Sequence, residues 1–230
     1  PKPEKITIRY ACYMPRCSLD EAGIWLVEEA GRRSGIEVEW EFYWAESLMK
    51  AKEHLGGLPA GVADMCWFSP GYTPEETPLM TVYNSTPLNG TGIFSVVKAA
   101  DELCRNWEPL KAEFEKRNIQ FLSNTAVVPD YQLLGTKPIS SLEDVQGYRA
   151  RTYGSSAVVW SKIGGVAAAL PTPEIYEALE RGTVDGTIGG LSYVSGLKAQ
   201  EVAKYCSIIN FGSLPTPLAM NKDFYESLPA

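Results

Sequence analysis

The stretch Gly147–Gly190, GYRARTYGSSAVVWSKIGGVAAALPTPEIYEALERGTVDGTIGG, contains two strand-turn-helix units, and the rest of the chain is interpreted around it. Tyr148–Thr152 follows a turn glycine and predicts a short β-strand, after which small residues open a helix over Ala157–Ile163. Because side chains alternate along a strand, Arg151 and Tyr153 share one face. In open α/β sheets ligands gather beyond the carboxyl ends of strands, so we expect both residues at a functional edge.

The composition is that of a globular chain with one large domain or two smaller ones. Of its 230 residues, 45% are hydrophobic and 21% are charged, which indicates a packed core without a long disordered tract. No apolar run is long enough to cross a bilayer. The formal net charge of -7 argues against nucleic acid or an anionic membrane, because binding to phosphates requires a basic face. We therefore predict no nucleic-acid partner and no direct membrane insertion.

Strands and helices alternate before the opening stretch. The predicted elements are strands Lys5–Ala11, Ile36–Trp44 and Ala63–Phe68, a helix from the capping box Ser18–Glu21 to Gly35, and a helix over Glu46–Leu55. The second strand alternates between apolar side chains and glutamates, which is typical of an edge strand with one wet face. Trp44, Trp67 and Phe68 are expected at the carboxyl ends of these strands.

An extended segment suggests that the chain passes between two lobes. Ile119–Leu134 is longer than a typical strand and is interrupted at Pro129. Tyr205–Phe211 is predicted to cross back, and Asn221 is predicted to cap the helix Lys222–Leu228. We assign residues 1–124 to lobe I, to which residues 213–230 return, and residues 125–212 to lobe II. A cleft between the lobes follows from this arrangement, and the sequence shows no internal repeat.

The cysteines and the single histidine predict neither a metal site nor catalysis. Five dispersed cysteines and one histidine have no zinc-binding spacing. Cys12 and Cys66 end neighbouring predicted strands, so buried thiols and an oxidised pair are both kept as alternatives. His54 lies among polar residues and is predicted to be a surface side chain, with no second titratable group at triad spacing. We predict no catalytic residue, no metal and no cofactor.

Four segments together resemble a known family: Gly147–Thr152 (GYRART), Pro171–Gly186 (PTPEIYEALERGTVDG), Glu201–Tyr205 (EVAKY) and Met220–Pro229 (MNKDFYESLP). They resemble the DctP-type solute-binding proteins of tripartite ATP-independent periplasmic (TRAP) transporters, with weaker similarity at Gly61–Met65 and Ser69–Pro70. The resemblance implies a two-lobed α/β fold of the type II periplasmic-binding-protein kind, with crossing strands as the hinge. It also implies C-terminal helices beyond Ala230, which we expect to be missing from this chain.

The same resemblance implies a function. Family members close on an organic acid in the periplasm, after removal of a signal peptide, and deliver it to the TRAP membrane subunits. The arginine that matches Arg151 grips the ligand carboxylate, and a planar guanidinium suits a desolvated carboxylate. An internal ion pair with an Asp or Glu is the alternative role of Arg151. A cytoplasmic ligand-sensing domain and a two-lobed α/β enzyme are the alternative functions.

This chain departs from the family pattern near the expected site. Many members carry an asparagine soon after the residues matching Asp185 and Gly186, whereas Thr187–Gly190 stand there. The second arginine of members with acidic ligands is replaced near Tyr131 and Gln132. We therefore expect a bulky monocarboxylate, such as an aryl or keto acid, rather than a small dicarboxylate.

The remaining candidate site residues lie on predicted strand ends and loops. They are Tyr13, Trp44, Trp67, Phe68, Tyr72, Tyr131, Tyr153, Thr172, Gly189 and Gly190. Each aromatic ring has packing as its alternative role, and the two glycines have a tight strand-to-helix turn as theirs.

Overall fold

The structure, a computed structural model, describes residues 5–84, 93–125, 131–212 and 214–229. The strands are β1 (Lys5–Ala11), β2 (Glu37–Tyr43), β3 (Met65–Trp67), β4 (Ile119–Thr125), β5 (Gln132–Gly135), β6 (Arg149–Arg151), β7 (Val166–Ala168), β8 (Gly186–Gly189), β9 (Tyr205–Ser207) and β10 (Thr216–Asn221). The helices are α1 (Ser18–Ser34), α2 (His54–Gly57), α3 (Pro78–Asn84), α4 (Ile93–Asn106), α5 (Glu108–Glu115), α6 (Gly154–Lys162), α7 (Ile175–Glu180), α8 (Leu191–Gly196) and α9 (Lys222–Ser227). Among the described residues, none of the helices has the length and apolar character needed to span a bilayer.

The first sheet has the strand order β2-β1-β3-β10-β4 and forms the first lobe. β1 is parallel to β2 and β3, whereas β10 is antiparallel to β3 and β4. β2 lies at the edge, as its alternation predicted: Glu37, Glu39 and Glu41 are exposed, while Trp40 and Phe42 are partly buried. Trp40 donates a hydrogen bond to Glu28 of α1, so the aromatic face of β2 packs under that helix.

The second sheet has the strand order β7-β6-β8-β5-β9 and forms the second lobe. β6, predicted as Tyr148–Thr152, is parallel to β7 and β8, and its helix begins at Gly154, three residues before the prediction. The chain enters this sheet between β4 and β5, as expected for Ile119–Leu134, although residues 126–130 lie outside the described residues. The chain returns to the first sheet at β10. The exact lobe bounds given above stay predictions.

The two lobes repeat one strand arrangement and one ion pair, contrary to the absence of a visible repeat in the sequence. Asp64, just before β3, accepts hydrogen bonds from the backbone N of Arg9 at 2.9 Å and from its Nε at 3.0 Å. Asp185, just before β8, accepts from the same two atoms of Arg149 at 3.1 and 3.0 Å. Each clamp holds the central strand in register with its parallel neighbour. The shared signal is only an arginine, a glycine and an aspartate, which is too sparse to be recognised as a repeat.

Several predicted helices are wrong at their ends. The helix predicted over Glu46–Leu55 has no regular first half, because Ala45 and Glu46 adopt positive φ angles of 52° and 63°. A 3-10 turn at Ala51–Glu53 and then α2 follow. In the second lobe, α8 ends at Gly196, before Lys198 with its positive φ of 57°.

Helix caps were predicted more accurately. α1 ends as expected, with Gly35 at φ 71°, but its first cap lies at Cys17, whose N donates to Asp20 at 2.8 Å. The capping box is thus one residue earlier than the predicted Ser18–Glu21. Asn221 accepts from the backbone N of Phe224 at 2.9 Å and begins α9, as predicted.

Cys12 and Cys66 are buried thiols, and the oxidised pair kept as an alternative is not formed. Cys66 is level with Ala11 in the parallel pair β1/β3, so Cys12 lies one position further and faces the other side of the sheet. The two side chains accordingly belong to different core clusters. Burial raises the pKa of the Cys66 thiol, which keeps it protonated and unreactive.

Candidate functional site

Arg151 ends β6 and is buried where the two lobes meet, with 1% of its surface exposed. Its Nε donates to the carbonyl oxygen of Leu170 at 2.9 Å, and its Nη2 donates to Thr172 Oγ1 at 3.1 Å. Nη2 also lies 3.2 Å from the hydroxyl of Tyr72, which belongs to the first lobe. These three oxygens orient the guanidinium.

Arg149, two residues earlier on the same strand, makes an internal ion pair. Arg149 Nη2 lies 3.0 Å from Asp185 Oδ1, and Lys137 Nζ lies 2.9 Å from the same oxygen. The Arg149 side chain holds the pKa of Asp185 well below its ordinary value, against the opposing effect of partial burial. Asp185 therefore stabilises the start of β8.

Tyr72 and Tyr153 close the cleft above Arg151. Their rings stack with centroids 4.6 Å apart, and the Arg151 guanidinium lies 5.1 Å from the Tyr153 centroid. The Tyr72 hydroxyl is also 3.4 Å from Thr172 Oγ1. Burial raises the pKa of Tyr72 to about 12, so its phenol stays protonated at neutral pH. One first-lobe side chain thus contacts three second-lobe residues.

A cavity of about 470 Å³ opens beside this stack, with walls from both lobes. Its lining includes Tyr72 and Tyr153 together with apolar side chains, among them Ala157, Leu170 and Pro171. The charged residues of the lining are Glu46, Lys50 and Lys52, of which the two lysines are exposed to solvent. Its size and mainly apolar lining suit a small organic molecule, with a buried cation close by.

Comparison with known proteins identifies the family. The family model for bacterial extracellular solute-binding protein family 7, DctP, matches residues 24–230. The chain belongs to this family. DctP-type proteins are the periplasmic solute-binding proteins of TRAP transporters rather than enzymes.

Individual relatives are distant. A solute-binding protein of Albidiferax ferrireducens is 24% identical over 212 residues, which is 87% of this chain and 60% of that protein. The chain therefore spans less than two thirds of that relative's length. A TRAP periplasmic solute-binding protein from Desulfovibrio salexigens is 26% identical with a TM-score of 0.75, over 97% of this chain and 69% of that one.

One further similar structure is evidence for the fold of this chain only. DctP7 of Bordetella pertussis, which binds pyroglutamic acid, is 21% identical with a TM-score of 0.83, over 98% of this chain and 74% of that one. Other similar structures contain L-malate, D-glucuronate or benzoate. The fold of the DctP family therefore does not by itself select one solute.

Within this DctP-family chain, four of the predicted site residues gather around Arg151 or its contacts. Tyr72, Tyr153 and Thr172 contact Arg151 directly, and Tyr13 packs on Tyr72 with ring centroids 5.7 Å apart. Trp67, fully buried on β3, has an indole Nε1 without a hydrogen-bond partner in the described part of the chain. Its carbonyl oxygen lies 2.6 Å from Nδ1 of His54, whose ring contacts Tyr13.

The other predicted site residues lie further from Arg151 or in packing positions. Tyr131 is buried and exchanges backbone hydrogen bonds with Phe211 and Gly212. Gly189 pairs with Gln132 across β5 and β8, and Gly190 precedes α8.

Trp44 and Phe68 make aromatic packing contacts in the first lobe. Trp44 stacks on Phe42, and Phe68 packs on Phe114 in the first-lobe core. Trp67 and Phe68 are neighbours in sequence and therefore face opposite sides of their strand.

His54 is fully buried, and the prediction of a surface side chain is wrong. Its Nδ1 is 2.6 Å from the carbonyl oxygen of Trp67, and its Nε2 is 3.3 Å from that of Met49. Burial lowers the pKa of His54 below its ordinary value of 6.5. A neutral imidazole has one N–H, so it donates to one of these two carbonyl oxygens, and its ring contacts Tyr13.

Sequence reasoning did not single out Thr187. It lies level with Arg151 in the parallel pair β6/β8 and is fully buried. The available signal was the spacing: Thr187 follows Asp185 by two residues, as Arg151 follows Arg149. Only the strand register shows that these two pairs lie side by side.

Proposed function

We propose that the chain captures an organic monocarboxylate between its two lobes, with Arg151 holding the carboxylate, and delivers it to the membrane subunits of a TRAP transporter. The observation that carries this proposal is Arg151 itself: its guanidinium is almost fully buried where the lobes meet and is oriented by Leu170, Thr172 and, from the opposite lobe, Tyr72. A carboxylate matches its planar fork and bears the opposite charge.

The cleft favours a ligand with an apolar or aromatic body. Tyr72 and Tyr153 offer flat ring faces, and the adjoining cavity has a mainly apolar lining. Gly189 and Gly190 leave room where many family members carry a polar side chain. The proposed ligand contacts are Arg151, Tyr153 and Thr172 at the carboxylate, with Tyr13, Trp67, Tyr131, Gly189 and Gly190 around the body.

Calorimetry with wild type and two Arg151 variants tests the site. We expect Arg151→Ala to lose about 2–5 kcal/mol of binding free energy, because the ligand carboxylate then has no buried partner. Arg151→Lys should also bind poorly, since an ammonium cannot reproduce the planar fork. The matched control is Arg149→Lys, on the same strand face but paired with Asp185, which should keep the wild-type affinity. Equal binding by wild type and Arg151→Ala would sink the proposal.

Thermal-shift measurements on the wild-type chain test the choice of acid. Benzoate and phenylpyruvate represent aryl and keto acids, and L-malate represents dicarboxylates. We expect the monocarboxylates to raise the melting temperature most, because a ligand that binds the native state stabilises it by mass action. A preference for L-malate would instead assign the exposed Lys50 and Lys52 to a second carboxylate.

Location and delivery are parts of the proposal with their own test. The family is periplasmic, so we infer a periplasmic location for the complete protein. Uptake of radiolabelled acid into vesicles that contain the TRAP membrane subunits should require the complete protein, and uptake without it would contradict delivery.

A further inference from the structure

Thr187 has a buried hydroxyl with no assigned role. The residue is 0% exposed, and its Oγ1 has no hydrogen-bond partner in the described part of the chain. Buried polar atoms are nearly always paired in native proteins, because an unsatisfied hydroxyl forfeits the hydrogen bonds that water would make. A valine of the same shape would avoid this cost, so retention of the hydroxyl needs an explanation.

The strand register places this hydroxyl beside the carboxylate-binding arginine. Arg149 and Asp185 form an ion pair across β6 and β8, so their side chains share one face of the sheet. Arg151 and Thr187 are the next residues on that face and are register partners. Asp185 therefore lies opposite Arg149, and Thr187, with its neutral hydroxyl, lies in the equivalent position opposite Arg151.

The first lobe provides an internal reference for this pair. Arg9 and Asp64 make the equivalent clamp between β1 and β3. Two residues further, the register partners are Ala11 and Cys66, both buried in an apolar core cluster. The fold thus accommodates a purely packing pair at this position, and the second lobe has an arginine and a hydroxyl there instead.

We propose that the Thr187 hydroxyl is a second donor to the carboxylate held by Arg151, an inference that rests on the carboxylate site proposed above. An arginine offers only donors, so the Thr187 proton stays available for an acceptor on the ligand. Gly189 lies two residues further on the same strand face and has no side chain there. Thr187 would thereby take over the grip that an asparagine provides in many family members.

Calorimetry on Thr187 variants tests this role. The probe is whichever of benzoate, phenylpyruvate, pyruvate and L-malate raises the melting temperature of the wild-type chain most. Thr187→Val should weaken its binding about 10- to 100-fold, the effect of one hydrogen bond to a charged group. Thr187→Ser keeps the hydroxyl and should restore binding. The unliganded Thr187→Val protein should melt no lower than wild type, because an unsatisfied hydroxyl is replaced by a methyl group.

A threonine with an internal partner is the matched control. Thr136 Oγ1 donates to the carbonyl oxygen of Asp185 at 3.1 Å, so Thr136→Val should lower the melting temperature and leave affinity unchanged. Because Arg151 and Thr187 would hold one carboxylate, the affinity losses of Arg151→Lys and Thr187→Val should combine to less than their product.

The outcomes separate this inference from the site on which it rests. If Thr187→Val binds the probe as tightly as wild type, the hydroxyl has no ligand role and the inference is overturned. If Thr187→Val melts lower without ligand and keeps its affinity, the hydroxyl is structural and the inference is equally overturned. If wild type binds none of the four acids, the carboxylate site itself is wrong, and the role of Thr187 is overturned with it.

Discussion

Tyr72 and Tyr153 stack almost face to face, with planes 10° apart, although each comes from a different lobe. The same Tyr72 places its hydroxyl 3.2 Å from Arg151 Nη2. These contacts lie above an arginine that is almost entirely buried. The arrangement of the two lobes is therefore stabilised by contacts between them even without a ligand.

Removal of the Tyr72 ring should open the ligand-free protein. Tyr72→Ala loses an aromatic contact of about 0.5–1.5 kcal/mol together with the hydroxyl contacts, so small-angle X-ray scattering should show a larger radius of gyration. Tyr72→Phe keeps the stack and should scatter like wild type. Tyr205, an exposed tyrosine of β9, supplies the control variant Tyr205→Ala. Identical scattering from all four proteins would mean that the stack does not hold the lobes together.

The clamp at Asp185 should contribute to stability rather than to binding. Asp185→Asn should cost about 1–3 kcal/mol of unfolding free energy, since the hydrogen bonds to Arg149 lose their charge. The Arg149 side chain is 44% exposed, so solvent screens part of the ion pair and favours the lower end of that range. Asp64→Asn breaks the equivalent clamp of the first lobe and should cost a similar amount in urea denaturation.

The melting temperature of Asp185→Asn should depend on pH differently from that of wild type. The folded-state pKa of Asp185 is depressed, so its stabilising contribution is complete above the ordinary value of 3.8 and is lost as the pH falls below it through the folded-state pKa. The difference in melting temperature between wild type and Asp185→Asn should accordingly shrink below about pH 3.8. A constant difference across that range would contradict the ion pair.

His54 should resist protonation. Because burial depresses its pKa, the unfolded chain takes up a proton below about pH 6.5 while the folded chain stays neutral, so stability should fall as the pH falls from 6.5. His54→Asn keeps a donor toward the Trp67 carbonyl and should remove this component. The chain has one histidine, so its imidazole NMR signals need no assignment. Titration of those signals at pH 6.5 in folded protein would show that the ring is solvated.

Asn221 connects α9 to the loop after α2. Its Oδ1 caps α9, and its Nδ2 donates to the carbonyl oxygens of Leu58 and Pro59 at 2.9 and 3.1 Å. Asn221→Ala should lower the unfolding free energy by about 1–2 kcal/mol or more. Asn221→Ser keeps a capping oxygen, so its unfolding free energy should lie between those of wild type and Asn221→Ala. Chemical denaturation measures the order. A serine variant as unstable as the alanine variant would indicate that the donor contacts dominate.

Elements with local chemical signals were predictable from the sequence. Gly35 indicates the end of α1, because glycine readily adopts a positive φ angle. Asn221 indicates the start of α9, because its side-chain oxygen can accept a hydrogen bond from the first turn. The alternating glutamates of β2 indicate an edge strand. Arg151 was placed at a strand end by alternation, together with the family resemblance. These features depend on a few neighbouring residues, which a sequence displays directly.

Features that depend on register or on distant partners were not predictable. Nothing near His54 indicates the carbonyl oxygens of Met49 and Trp67 that surround its ring. Trp67 ends β3 and Phe68 follows it, and only the packing shows that Phe68 faces Phe114 while Trp67 belongs to a different core cluster. Thr187 has the pattern of an ordinary strand residue until its alignment with Arg151 is known.

The residues that follow the two equivalent ion pairs, Arg9–Asp64 and Arg149–Asp185, differ between the lobes. Beyond its clamp the second lobe has Arg151 and Thr187, whereas the first lobe has Ala11 and Cys66 and contributes Tyr72 from a loop after β3. We expect substitutions at the ends of β6 and β8 to change which acid is recognised. Substitutions around Tyr72 should change how quickly any acid enters and leaves. Solute choice and exchange rate would then be separately adjustable properties, each belonging to one half of the molecule.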